Sequence, residues 1–239
     1  MSELNDAKKE VSDACNVVAN AGLTELYAGH VSSRIGDIAL IPAHLHHEGR
    51  GMESMTPEQI ISVNLKTGEQ DPKELELPEE DTIHTSIFAV REDVKSCVHA
   101  HPVHATALSM TNSSIIPASI RAVRLGEVPV HDAGPMLIES NAPVEIARGE
   151  AVAESLGDAS CLLIRGHGVV TVGRTVAEAV SRLFILERAA HLQMLASLGG
   201  GAVAYEGNPY KIANHPEIQE HAEKPSEDTY KFLRNQYLK

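Results

Sequence analysis

The sequence predicts a layered α/β domain with a mixed or antiparallel central sheet. Short runs rich in Val, Ile and Leu alternate with longer amphipathic stretches, a pattern typical of a sheet covered by helices. Several of these runs are separated by short glycine-containing turns, which favour hairpins. The chain has 239 residues, a length that one large core accommodates. With no internal repeat in view, we expect one domain over residues 1–239, with a core at about 5–200 and a C-terminal tail at 201–239.

The first elements are predicted from periodicity and turn residues. Leu4 to Ala21 has apolar residues on one helical face, and Gly22 supplies the stop. Two strands, HVSSR and IALI, follow between Gly29 and Pro42 and are joined at Gly36–Asp37. Thr56, followed by Pro57 and an acid, is typical of a helix start. The SVNL run and KTGE turn after it indicate a hairpin.

The middle of the chain is predicted as helix, strand, helix. A helix is expected from about Glu79 to Val90, followed by a buried strand with the sequence KSCVHA. His101 and Pro102 then open another helix that continues to Met110.

Beyond Pro117 the same kinds of element return. VPVH is predicted as a short strand and Val144 to Leu156 as a helix. CLLIR and VVTV form a strand pair around Gly166-His167-Gly168. Thr175 to Leu198 is a long helix, with Glu178 completing a capping box and three glycines ending it. The polar, proline-containing tail after Ala202 is expected to pack on the surface or on a neighbouring subunit.

Composition excludes several classes of function. The net charge is −13, which argues against nucleic acid as a partner and against docking on an anionic membrane. The cysteines Cys15, Cys97 and Cys161 form no CxxC motif and lie in apolar stretches, so we expect buried thiols of a reducing compartment. No apolar signal core and no run of about 20 apolar residues is present. We therefore expect a cytoplasmic protein.

Two histidines are spaced as metal ligands. His99 and His101 lie two residues apart at the end of a predicted strand, so alternation directs both side chains to one face. Imidazoles that converge in this way suit Zn²⁺, Mn²⁺, Fe²⁺ or Co²⁺. The alternative interpretation is a polar strand edge with no ligand.

A third candidate ligand is His167 in the segment RGHGVVTVG. Its flanking glycines allow a sharp turn and a close approach to another element. The alternative is a glycine turn that happens to contain a histidine. Three histidine ligands leave coordination positions open, which distinguishes catalytic from structural metal sites.

Glu80 is the candidate acid–base residue. If the predicted helix begins in this acidic run, Glu80 and His84 lie one turn apart on one face, whereas Glu79 and Asp81 point to other faces. A carboxylate beside the metal can act as a fourth ligand and then handle a proton once substrate displaces it. An acidic first helical turn that complements the helix dipole is the alternative.

Taken in order, four stretches resemble the class II aldolase/adducin family. They are GHVSSR, the segment from Glu80 to His84, SCVHAHPVHATALS, and LLIRGHGVVTVGRTVAEAVSRLFILERAAHLQ. The resemblance covers roughly residues 5 to 200. It implies an α/β/α sandwich around an antiparallel sheet, one divalent metal ion per subunit on His99, His101 and His167, Glu80 as acid–base residue, and a homotetramer with sites at subunit interfaces.

Departures from the sugar-phosphate members of that family predict a different substrate. His30 replaces the asparagine of their GNxS motif, the loop IPAHLHHEGRG replaces their phosphate loop, and Pro78–Glu79 replaces a pair of serines. A proline has no amide to donate and a carboxylate repels a phosphate. GHVSSR, HDAGPMLI and RGHGVVTVG are more similar to decarboxylase-type members. The candidate substrate-binding residues are His30, Ser32, Arg34 and Arg50, with histidines 44, 46 and 47 completing a cationic or switchable cluster.

The sequence thus predicts a lyase that decarboxylates a non-phosphorylated hydroxylated aromatic or pyridine carboxylate, with Zn²⁺ or Mn²⁺ as the metal and Fe²⁺ or Co²⁺ as further options. Retro-aldol cleavage of a hydroxy-keto acid or sugar-type substrate stays open, because the same ligands serve both reactions. A non-catalytic adducin-like interaction module is the alternative from another class, and its members are expected to have lost the metal ligands.

Overall fold

A computed structural model describes residues 3–132, 142–210 and 223–238. Most of the HDAGPMLI motif falls between the first two ranges and therefore lies outside the described residues. An eight-stranded sheet forms the centre, in the order β4-β3-β2-β1-β5-β8-β7-β6. Its strands are β1 His30–Ile35, β2 Ile38–Pro42, β3 Ile60–Asn64, β4 Gln70–Asp71, β5 Ser96–Ala100, β6 Val130–His131, β7 Cys161–Ile164 and β8 Gly168–Gly173. All neighbouring pairs are antiparallel except β6 and β7.

Helices cover both faces of this sheet, which confirms the predicted α/β/α sandwich. They are α1 Glu3–Asn20, α2 Asp81–Val90, α3 Val103–Ser109, α4 Ile120–Arg124, α5 Ala142–Leu156, α6 Val176–Ser197 and α7 Glu223–Tyr237. Helices α1 and α6 pack against one face, and α2 and α5 pair on the other. On β8, Thr171 donates from its hydroxyl to the Ala179 carbonyl of α6, and this contact fixes α6 over the centre of the sheet.

The core is built from aliphatic side chains, as expected for a chain with 3% aromatic residues. Strands β7 and β8 are buried along their whole length, which explains their continuous apolar runs. Cys15, Cys97 and Cys161 are buried and unpaired, as predicted. Burial raises the pKa of the Cys15 and Cys161 thiols to about 12, which keeps them unreactive.

Two predicted helix starts differ from the structure. Thr56 does begin a capped turn, in which Gln59 accepts from the Thr56 amide at 3.0 Å. The turn is a single 3₁₀ turn, Pro57–Gln59, because the apolar strand β3 begins at once. Helix α2 begins at Asp81, and Glu80 is its N-cap residue. Glu80 therefore precedes the helix, whereas we expected the helix to include it.

The tail contains a helix that its polar composition did not predict. Helix α7 packs against α1 and α6. Arg234 of α7 donates to Asp13 of α1 at 2.7 Å, and Asn20 donates from its side chain to the Tyr237 carbonyl at 3.2 Å. In the three described ranges, no helix combines the length and the apolar character needed to span a membrane.

Candidate metal centre

His99 and His101 converge at the end of β5, on the face of the sheet that α2 covers. His99 is fully buried and its strand position lies opposite His30 of β1. The His99 Nδ1 atom lies 3.0 Å from the Val169 carbonyl. Since a carbonyl can only accept, this contact places a ring proton on Nδ1, so Nε2 is the nitrogen that can offer a lone pair to a metal ion when it carries no proton. The Nε2 atoms of His99 and His101 are 3.1 Å apart.

His167 reaches the same point from the β7–β8 turn. Gly166 precedes it with φ +65°, a conformation that favours glycine. The Nε2 atoms of His167 and His99 are 3.2 Å apart, and their rings are stacked. Gly168 allows the approach, because a Cβ atom there would overlap both the His101 ring and the Ala100 carbonyl. The glycines flanking His167 therefore have two different functions, one in the turn and one in packing.

Glu80 completes the group from the N-terminus of α2. Its Oε1 lies 2.8 Å from His167 Nε2, and its Oε2 lies 3.2 Å from His99 Nε2. The Glu80 side chain is 15% exposed, so a small molecule can reach it. Glu79 is exposed and lines a separate cleft with His44. Glu79 and Glu80 are neighbours in the sequence, but only the Glu80 carboxylate lies at the histidine group.

The four side chains fit a divalent ion. One ligand atom from each of Glu80, His99, His101 and His167 lies within 4.8 Å of all the others. Metal–ligand bonds of about 2.0–2.2 Å bring neighbouring ligand atoms to roughly 3.0–3.5 Å from one another, which matches the nitrogen spacing given above. Three neutral nitrogens and one carboxylate are donors that Zn²⁺, Mn²⁺, Fe²⁺ and Co²⁺ all accept.

Electrostatics within the group favour an anionic Glu80 and a neutral His101. Burial would raise the Glu80 pKa, but attraction to His99 and hydrogen bonds with His167 and His99 hold it below its usual value. Burial lowers the pKa of His99, yet the facing Glu80 outweighs burial and leaves it raised. Burial, reinforced by His99 and His167, lowers the His101 pKa to about 3. An anionic carboxylate and a neutral imidazole are the forms of these side chains that bind a metal cation.

Three further polar side chains, those of Ser32, His84 and His30, lie close to the four side chains of the metal centre. Ser32 is fully buried, and its Oγ lies 2.6 Å from Nδ1 of His84. His84 is also fully buried, with its pKa held well below the usual value by burial. Within the described part of the chain, neither His84 Nε2 nor His30 Nδ1 has a hydrogen-bond partner. Burial lowers the His30 pKa to about 3, so this ring is neutral.

Of the four candidate substrate-binding residues, His30 and Arg50 line one pocket, whereas Ser32 and Arg34 do not line it. His30 faces His99, with ring centroids 6.2 Å apart. Ser32 is engaged with His84. The Arg34 guanidinium already has partners, since it donates to the Phe88 carbonyl at 2.6 Å and to the Gly36 carbonyl at 3.1 Å. These contacts tie the end of α2 to the β1–β2 turn, so we do not retain Arg34 as a substrate-binding residue.

Arg50 and the loop that contains His44, His46 and His47 lie near the metal centre. Arg50 donates to Glu48 at 3.0 Å and to the Ser54 carbonyl at 2.7 Å, and it lines one pocket with His30 and His44. His46 lies between His44 and His47, with ring centroids 3.8 and 3.7 Å from theirs. Histidines 44, 46 and 47 line an open cleft of about 640 Å³. Burial and the neighbouring His46 lower the His44 pKa.

Sequence reasoning missed Tyr27 as part of this region. Its ring centroid lies 5.5 Å from that of His46, and it lines the pocket that contains His30 and Arg50. No local pattern marks Tyr27, since it lies in the short segment between α1 and β1. It was also not evident that Ser32 would be enclosed, because its partner His84 is 52 residues away in the chain.

Comparison with known proteins places this geometry in context. The profile of the Class II Aldolase and Adducin N-terminal domain matches residues 9–194. A 3,4-dihydroxyphthalate decarboxylase of Arthrobacter keyseri is 29% identical over 207 residues, which cover 82% of this chain and 81% of the relative. Alpha-adducin of Rattus norvegicus is 30% identical over 189 residues, covering 75% of this chain and 24% of adducin.

Among solved structures, the L-fuculose 1-phosphate aldolase from Glaciozyma antarctica PI12 is similar in fold, with a TM-score of 0.76. The match covers 98% of this chain and 92% of the aldolase at 20% identity. At that identity the likeness concerns the fold alone.

Proposed function

The chain belongs to the class II aldolase and adducin family and is a metal-dependent carbon–carbon lyase, and we propose that it decarboxylates a non-phosphorylated hydroxy-carboxylate of the aromatic or pyridine type. The observation that carries the proposal is the convergence of Glu80 on three histidines, next to a pocket lined by His30 and Arg50. The similarity to a 3,4-dihydroxyphthalate decarboxylase over 82% of this chain supports the same reaction.

We propose that His99, His101 and His167 hold one divalent ion, with Zn²⁺ or Mn²⁺ favoured and Fe²⁺ or Co²⁺ compatible with the same donors. When bound, such an ion supplies Lewis-acid stabilisation of the negative charge that develops on a substrate oxygen as the carbon–carbon bond breaks. The Val169 carbonyl keeps the His99 Nε2 lone pair directed at the site. Three histidine ligands would leave room for a hydroxyl and a neighbouring carboxylate of the substrate.

Glu80 is proposed to handle the proton. In decarboxylation the bond to the carboxylate breaks, carbon dioxide leaves, and the electron pair stays on the carbon, which must then gain a proton. Glu80 lies at the site with one oxygen facing His167 and the other facing His99. Once protonated, its carboxyl group can deliver that proton to the carbon and regain one from water.

His30 and Arg50 are proposed to bind a second carboxylate of the substrate. Both line one pocket next to the metal centre, and a guanidinium can bind a carboxylate with two hydrogen bonds. Arg50 now donates to Glu48, so substrate would have to replace that partner. Pro78 offers no amide to a phosphate group, and the exposed Glu79 carboxylate would repel one. Ser32 is proposed to act indirectly, by orienting His84.

Two alternative functions predict different experimental outcomes. Retro-aldol cleavage would use the same donors and would release an aldehyde in place of carbon dioxide. The 30% identity to alpha-adducin suggests an adducin-like interaction module as the other alternative, but the complete set of Glu80 and three histidines argues for an enzyme.

We also propose that the chain forms a homotetramer, with the tail at 201–239 belonging to a single domain with the core. Large apolar side chains are exposed near the end of α6, at Leu192, Leu195 and Leu198, and burial in a subunit contact would remove them from water. Light scattering coupled to gel filtration would measure the assembly directly.

The proposed reaction is tested with Mn²⁺- or Zn²⁺-loaded protein. Dihydroxylated aromatic and pyridine dicarboxylates are supplied in one arm and L-fuculose 1-phosphate in the other. We expect carbon dioxide release from a dicarboxylate and little turnover of the sugar phosphate. Efficient cleavage of the sugar phosphate would overturn the non-phosphorylated assignment, and aldehyde formation from a hydroxy-keto acid without carbon dioxide would favour the retro-aldol reaction.

A further inference from the structure

Helix α3 connects the two chain segments that supply the histidine group. It begins at Val103, two residues after His101, and ends at Ser109. At its far end, the buried Ser109 hydroxyl oxygen accepts from the Gly166 amide at 2.9 Å, and Gly166 directly precedes His167. Arg165 also donates to the Thr111 carbonyl at 2.9 Å. Helix α3 is therefore connected to His101 through the chain and to the segment before His167 through hydrogen bonds.

The beginning of α3 is not capped by its own residues. The N-cap residue is Pro102, whose side chain offers no acceptor, and no side-chain cap is formed there. The free amides of a first helical turn need acceptors from elsewhere. Glu187 of α6 supplies them, accepting from the His104 amide at 3.1 Å and from the Ala105 amide at 2.9 Å.

The Glu187 carboxylate also contacts a side chain in the first turn of α3, that of His104. Nδ1 of His104 lies 2.5 Å from Oε1 of Glu187. The His104 ring is in turn stacked on His191, one turn further along α6, with ring centroids 3.9 Å apart. Glu187 is 15% exposed, so these contacts are largely protected from water. One carboxylate thus fastens α3 to the helix that lies over the centre of the sheet.

We propose that Glu187 is a positioning residue for the metal centre, acting through α3 on His101 and, through Ser109, on His167. Within the described ranges its hydrogen bonds are to His104 and Ala105, and it does not touch the four ligand atoms. Its effect is on the spacing of the ligands, since Gly168 leaves the His101 ring little room beside β8. The inference rests on the metal centre of the proposed function.

The test uses Co²⁺ as a probe, because its visible spectrum reports ligand geometry without any substrate. Glu187→Gln keeps the shape of the side chain but loses its charge, so Co²⁺ affinity should fall by about 10-fold, at the lower end of losses on changing groups that orient metal ligands. The absorption bands should shift as well. With substrate, kcat should fall more than KM rises. Glu187→Ala should have the larger effect on all three measurements.

Glu178→Gln is the matched control. Glu178 is a carboxylate of the same helix that accepts from the Arg174 amide at 2.7 Å and from Arg182 at 2.6 Å, away from α3. We expect Glu178→Gln to lower the melting temperature and leave the Co²⁺ spectrum unchanged. Equal spectral changes in both variants would overturn the positioning role, because general destabilisation would then explain them.

Two further outcomes separate this inference from the proposed function. If the parent binds Co²⁺ and Glu187→Gln binds it with the same affinity and spectrum, the role of Glu187 is wrong and the metal centre stands. If the parent does not bind Co²⁺, the metal centre and this inference both fall. Should Glu187→Ala not fold, Ser109→Ala tests the other end of α3, and an unchanged Co²⁺ spectrum there would contradict the connection to His167.

Discussion

Glu80 faces two histidine rings, with one carboxylate oxygen directed at each. Glu80→Gln preserves this shape but removes the group that can carry a proton, so activity should fall by roughly 10²- to 10⁴-fold. Bound metal should be largely retained, because the three histidines remain. Steady-state kinetics and metal analysis on the same preparations check both expectations. Glu79→Gln is the control, and an equal loss of activity there would contradict the role of Glu80.

His167 should contribute strongly to metal affinity, since it is one of three proposed histidine ligands and comes from its own segment of the chain. His167→Ala should remove most of the bound metal and the activity. His47→Ala, which changes an exposed ring on the neighbouring loop, should leave the metal content unchanged. Metal analysis after dialysis measures both variants. Parent-like metal content in His167→Ala would contradict the proposed ligand set.

Single residues were predictable where local geometry decides their direction. Strand alternation predicted that His99 and His101 share a face, and the flanking glycines made His167 a candidate ligand that the family resemblance then supported. Arg34 was not predictable, because its acceptor is the Phe88 carbonyl, 54 residues away. Arg50 was predicted beside the site, yet its sequence does not reveal that Glu48 and Ser54 already occupy its donors.

At the scale of elements, the β7–β8 hairpin depends on a glycine that packs against a ligand. Gly168→Ala would place a Cβ atom against the His101 ring and the Ala100 carbonyl, so either β8 or His101 must move. We expect weaker metal binding, by at least about 10-fold, comparable to losses on disturbing groups around a metal ligand. Isothermal titration with Zn²⁺ measures the change.

Gly199→Ala is the control for that substitution. A Cβ atom at Gly199 would lie 3.6 Å from the Ala196 carbonyl, an ordinary contact, and Gly199 lies beyond the end of α6. Its affinity for Zn²⁺ should equal that of the parent. Unchanged affinity in Gly168→Ala would mean that the His101 ring has room to shift without cost.

Most elements were predictable because their periodicity and turn residues agree. Glu80 shows the limit of that reasoning, since an acidic run before an apolar helix does not reveal which acid is the N-cap residue. The structure places Glu80 there, which turns its side chain toward the sheet. Glu187 shows a second limit, because its partners on α3 lie 82 and 83 residues away and no local motif connects them.

At the scale of the whole molecule, the three proposed ligands and the proposed acid–base residue come from three separate parts of the chain. Glu80 precedes α2, His99 and His101 end β5, and His167 lies between β7 and β8. Antiparallel pairing of β5 with both β1 and β8 brings these parts together. The order of strands could not be derived from the hydrophobic pattern alone, whereas the family resemblance did imply an antiparallel sandwich.

This arrangement predicts that metal binding stabilises the entire fold, because the unfolded chain cannot hold the ligands together. At a free metal concentration of about 1,000 times Kd, binding adds about 4 kcal/mol to the free energy of unfolding. For a domain of this size, that corresponds to a rise in melting temperature of roughly 8–16 °C. Scanning calorimetry of chelator-treated protein with and without Zn²⁺ or Mn²⁺ measures the shift. In His167→Ala the shift should shrink to a few degrees, because the free metal concentration is then no longer far above Kd. Equal melting temperatures of the parent with and without metal would contradict a site that joins these three segments.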